Sequence, residues 1–111
     1  MDQYHIWFDL KDSHKDLQFA RHLDAFLGHL KEEGRIATYR LSRRKLGLGP
    51  STLGEFHVVI ETTDLAQLDE AFGSIVPRKD PLEKLHRAVY GMITQATFAL
   101  YRDFPDAART D

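Results

Sequence analysis

Apolar and polar positions alternate at the start of the chain, then recur at helical spacing, then alternate again. From Tyr4 to Leu10 the set Tyr4, Ile6, Phe8 and Leu10 interleaves with His5, Trp7 and Asp9, the two-residue period of a strand. From about Ser13 to Glu33, Leu17, Ala20, Leu23, Phe26, Leu27 and Leu30 recur at the three- and four-residue spacing of an amphipathic helix. Ser13, with Asp16 three residues on, fits a helix start, and Gly34 stands where a C-terminal glycine belongs. Strand periods return over Ile36 to Leu46 and Glu55 to Thr62. Leu65, Leu68, Ala71, Phe72 and Ile75 predict a helix over Asp64 to Ile75, with Asp64 as its cap. Pro77 and Pro81 interrupt it, a further helix is expected over Pro81 to Met92, and a last strand over Ala96 to Phe104.

The order β-α-β-β-α-β is that of an α+β, ferredoxin-like unit: a four-stranded antiparallel sheet with helices on one face. One domain over 1–111 is expected, with 105–111 as a frayed, polar tail. Even positions of the first and third strands (Ile6, Phe8, Val58, Ile60) are apolar and suit the helix side. Odd positions mix Trp7 and Val59 with His5, His57, Asp9 and Glu61, more apolar surface than a solvated face would carry. A second copy of the chain is the expected cover, giving a homodimer.

Charge and composition narrow the partners. Fifteen basic residues stand against 17 acidic ones, a net charge of −2, which gives no global case for nucleic acid or an anionic membrane. The chain has no cysteine, so disulfides, thiolate metal sites and cysteine nucleophiles are excluded. No apolar run approaches a membrane span, and MDQYHIWFDL lacks the basic start and apolar core of a signal peptide, so a cytoplasmic protein is expected. No catalytic serine elbow, paired-carboxylate motif or dinucleotide fingerprint appears, and no cofactor is expected.

Two groups of residues carry candidate chemistry. His5 and His57 occupy equivalent phases of strands that the topology makes neighbours, so their imidazoles can meet in a half-buried site suited to acid/base work. The plainer alternative is two core histidines bonded to backbone. A metal would need a carboxylate such as Asp9, Glu55 or Glu61 as third ligand, and no spacing motif supports one. Arg40, Arg43, Arg44 and Lys45 precede the glycine-rich loop LGLGPSTLG, where they suit a phosphate or carboxylate, or else protect a strand edge. They are too few and too split to follow a nucleic acid.

The strings YHIWFDL, RLSRRKLGLGPSTLGEFHVVIETTDL and FALYRDFPD together resemble the stress-responsive dimeric α+β barrel family, closest to short bacterial members of undescribed function. The resemblance spans roughly residues 4–105. It implies two protomers packed sheet against sheet into a barrel. A plant polyketide cyclase of the wider group uses histidines on the first strand, the third strand and the second helical region. By position these correspond to His5, His57 and His86, with Tyr90 one turn beyond His86. The catalytic candidates are therefore His5, His57 and His86, and the ligand-binding candidates Trp7, Tyr90, Arg40, Arg44 and Lys45. The expected function is a homodimer with a histidine-lined pocket for a small organic or anionic molecule, as a cofactor-independent enzyme or a binding protein. The alternative is a non-catalytic structural or stress-associated dimer.

Overall fold

A computed structural model describes residues 1–106, 108 and 109. Strands β1 (Asp2–Leu10), β2 (Thr38–Arg43), β3 (Phe56–Thr62) and β4 (Ile93–Arg102) form one antiparallel sheet in the order β2-β3-β1-β4. Helices α1 (Asp16–Glu32), α2 (Leu65–Gly73) and α3 (Leu82–Tyr90) complete the ferredoxin-like order. The even residues of β1 and β3 face the helices: Phe8, Val58 and Phe56 are buried there with Phe19, Leu23 and Leu27 of α1. None of the helices in the described residues is long and apolar enough to cross a membrane.

Local chemistry moves several boundaries. The cap at the first helical segment is Asp12, whose carboxylate accepts from the His14 N–H at 3.0 Å and starts a 3-10 turn over Ser13–Lys15. Asp16 then opens α1 without a side-chain cap from Lys15. Its carboxylate accepts from the Leu17 N–H at 2.7 Å and pairs with Arg43 at 2.9 Å, so it does not act as a capping-box partner of Ser13. Leu17 is 72% exposed, and Phe19, at 0%, fills the core in its place. Gly34 takes φ 73° after α1 as expected, and Asp64 accepts from the Gln67 N–H at 2.8 Å to cap α2. Strand β4 begins at Ile93, three residues before the expected start, and continues β1 outward as an edge.

The segment between β2 and β3 is a built loop. Leu46 and Gly47 have positive φ and end the strand early. Arg44 turns its guanidinium inward and donates to the carbonyls of Pro50, Leu53 and Gly54 at 3.1, 2.6 and 3.4 Å. Gly54 lies against the backbone of Phe8 so closely that a Cβ there would overlap it. Among the tail residues described, Asp106 pairs with Arg102 at 3.3 Å; residues 107, 110 and 111 lie outside the described set.

Candidate functional site

The fold separates the candidate chemistry onto two sides of the sheet. The odd residues of β1 and β3 point away from the helices. In that register Trp7 is the direct partner of His57, and His5 that of Val59, which places the two histidines on a diagonal. His5 Nδ1 and His57 Nε2 lie 2.9 Å apart, one ring donating and the other accepting. Trp7 stacks flat on His57 with ring centroids 4.6 Å apart, and Tyr101 of β4 meets His5 edge-on at 5.1 Å. The result is a continuous aromatic ladder across a half-buried, uncovered face, with Arg40 opposite Val59 in the register of the neighbouring strand.

Desolvation lowers the pKa of both imidazoles, and for His57 the charge of His5 adds to it. Both rings are therefore neutral at neutral pH, the state in which they can share one proton between facing nitrogens. The sign of the pH dependence follows. Below the ordinary value of 6.5 the unfolded chain takes up protons that the folded pair resists, so the unfolded state binds more. Stability is full above that value and declines as pH falls from it toward the lowered folded values. Ring NMR titration is expected to give midpoints below 6.5 for both residues, and thermal unfolding a lower midpoint at pH 5.5 than at pH 7.5, roughly the window in which carboxylates stay charged. A midpoint at or above 6.5 for either ring would contradict this environment.

On the helix side a cleft opens beside the core. A cavity of about 620 Å³ lies between the sheet and the helices, walled by apolar side chains such as Ile6, Leu23, Leu27, Val58, Ile60 and Ala71. Its polar lining comes from Tyr4, Arg78, Glu83, His86, Arg87 and Tyr90. On α3 the i,i+4 spacing sets His86 and Tyr90 on one face, their rings 4.2 Å apart, with Phe26 of α1 5.5 Å from His86. Burial lowers the His86 pKa, partly opposed by Glu83. Burial raises the phenols of Tyr90 and Tyr4, and for Tyr4 the nearby Tyr90 adds to it. At neutral pH the cavity therefore offers a neutral imidazole as acceptor or base and two neutral phenols as donors. Glu83 is held by Arg87 at 3.0 Å.

The structure brings His5, His57 and Trp7 together but leaves His86 and Tyr90 on the other side of the sheet, so the protomer has no three-histidine pocket. Tyr90 does join His86. Arg44 is committed to loop carbonyls, Lys45 is exposed beside it, and Arg40 belongs to the uncovered face. Arg43 lies on the opposite face, over the Phe56 ring and paired with Asp16 and Glu55. Sequence reasoning missed Tyr4, Glu83, Arg78 and Arg87. Tyr4 was counted among the apolar even positions; its hydroxyl was the available signal. No group of three histidines and carboxylates among the described residues is placed to hold a metal ion.

The chain matches, over residues 1–111, the model of a family described as "Family of unknown function (DUF6614)", and it belongs to that family. No curated protein matches it. Its fold is similar to that of SnoaB, a cofactor-independent oxygenase from Streptomyces nogalater, with a TM-score of 0.68, 10% identity, and 95% of this chain and 97% of that one covered. A dimeric ferredoxin-like protein of unknown function from Jannaschia sp. CCS1 gives 0.67 at 12% identity, with 93% and 100% covered. A dabb family protein with a ferredoxin-like fold from Mesorhizobium loti gives 0.67 at 13% identity, with 93% and 96% covered.

Proposed function

We propose that this member of DUF6614 is a homodimer, packed sheet against sheet as an α+β barrel, in which each protomer holds a small, largely apolar organic molecule in the cleft beside its core. The cavity of about 620 Å³ carries this reading, because apolar walls with a few polar groups are the usual make-up of a ligand site. His86, Tyr90 and Tyr4 are the groups that orient the molecule and can exchange a proton with it without a cofactor. SnoaB, described as a cofactor-independent oxygenase, has a similar fold, which supports a reading without a cofactor. His5, His57 and Trp7 are assigned to the dimer seam. That assignment is supported by the uncovered aromatic ladder and by similar structures described as dimeric. It resembles the stress-responsive barrel group in the same respect.

Filling the cavity tests the proposal. Ala71 is 4% exposed and lines it, so Ala71→Phe places a ring in the space a ligand would take. Wild-type protein is expected to gain thermal stability with 2-naphthol, by about 2.7 kcal/mol at a hundredfold excess over Kd. Ala71→Phe should keep its circular dichroism and its oligomeric mass and lose that gain. Absence of any gain in the wild type, with 2-naphthol and a panel of phenols, would leave the non-catalytic dimer standing.

A further inference from the structure

We infer that the molecule held in the cleft is an organic acid, its apolar body among the aliphatic and aromatic walls and its carboxylate at the rim against Arg78, beside Arg87. The inference rests on the pocket reading above and adds the class of ligand.

The first observation is the charge at the rim. Two arginines, Arg78 and Arg87, are among the residues that line the cavity, with one acid, Glu83. Glu83 is already engaged by Arg87 at 3.0 Å. Among the described residues the exposed Arg78 guanidinium makes no hydrogen bond or ion pair, so its charge is met by solvent and is available to a ligand. The second observation is the backbone. Arg78 has φ 53°, in the left-handed region where glycine sits without steric cost, and its N–H donates to the Ile75 carbonyl at 3.1 Å to hold that turn. An arginine therefore occupies a position that suits glycine better, and non-glycine residues in that region gather at functional sites. The third observation is the rest of the lining. Tyr4 and Tyr90 keep their phenolic protons, because burial raises both, and a neutral phenol can donate to a carboxylate oxygen.

These features select against the other ligand classes. A cationic ligand would meet two guanidiniums and a carboxylate that is already paired. A neutral ligand would use the walls but gain only the weaker hydrogen bond of an uncharged acceptor from Arg78. A carboxylate drawn to the edge of an apolar cavity needs a permanently charged, forked donor to offset its desolvation, which is what a guanidinium provides.

The test compares 2-naphthoate with its neutral counterpart 2-naphthamide on the full chain. Binding is read from methyl NMR shifts at Leu27 and Val58, which line the cavity. Wild-type protein is expected to bind the acid about tenfold or more tightly than the amide, the scale of one charge-assisted hydrogen bond. Arg78→Gln should weaken 2-naphthoate by about the same factor and leave 2-naphthamide unchanged, and Arg78→Lys should keep part of the preference. Arg78→Gly, which relieves the backbone, should be at least as stable as wild type and show the same loss of acid preference, separating charge from folding. Equal binding of acid and amide, or an acid affinity untouched by Arg78→Gln, overturns the inference while the pocket stands. Binding of neither probe, together with no response to 2-naphthol, overturns the pocket and the inference with it.

Discussion

Trp7→Ala is expected to convert the proposed homodimer to a monomer at micromolar concentration. Trp7 lies on the uncovered sheet face, stacked on His57 at 4.6 Å and on His5 at 5.4 Å, so it is the broadest flat surface that face presents. In a two-fold, face-to-face pairing each protomer contributes the same ladder, and a large aromatic near the centre of such a patch carries a disproportionate share of the binding energy. Truncating an anchor of this kind costs about 2–4 kcal/mol, a loss of roughly 30- to 1,000-fold in Kd. Light scattering should give twice the 12.8 kDa chain mass for wild type and a single chain mass for the variant. Circular dichroism should not change, because the side of β1 that faces α1 is untouched. A wild-type mass of one chain would remove the dimer, and an unchanged Trp7→Ala dimer would move the seam to another face.

The histidine pair was legible because alternation fixes a residue's side of the sheet and the strand order fixes its neighbours. His5 and His57 share the odd phase, and β1 lies beside β3, so their meeting follows from those two facts. The same parity separates His86 from them. A residue on a helix belongs to the even, helix-covered side, so grouping it with His5 and His57 on positional resemblance conflicted with the alternation already in view. The cavity was not legible. Its volume depends on how the helices stand off the sheet, and side-chain periodicity records which face is buried, not how densely. The role of Arg44 was hidden for a related reason. Its three carbonyl partners come from the path of a loop six, nine and ten residues downstream, which glycine content announces but does not trace. Phe19 is a different failure. It lies on the stripe of Leu23, Phe26 and Leu30 by spacing, whereas Leu17 is six residues before Leu23, about a third of a turn out of phase.

That helical phase yields a paired prediction: Phe19→Ala should be severely destabilising and Leu17→Ala nearly silent. Phe19 is fully buried against Phe8 at 5.2 Å and Phe56 at 6.4 Å, where α1 crosses the centre of the sheet. Phe-to-Ala truncation at such a site costs about 3–5 kcal/mol, from lost transfer energy and the void left behind. The void here adjoins the existing cavity, which Phe19 also lines, so neighbouring side chains have little support for collapsing into it, and the upper half of that range is expected. Against a stability of about 5–15 kcal/mol for a domain, the variant should unfold at a much lower urea concentration or fail to accumulate. Leu17, 72% exposed, should shift stability by less than about 0.5 kcal/mol. If Phe19→Ala cannot be purified, Phe19→Leu gives a smaller loss of the same sign and keeps the comparison measurable. Equal losses at the two positions in urea unfolding would mean that α1 presents a different face to the sheet, and the walls of the cavity would have to be redrawn with it.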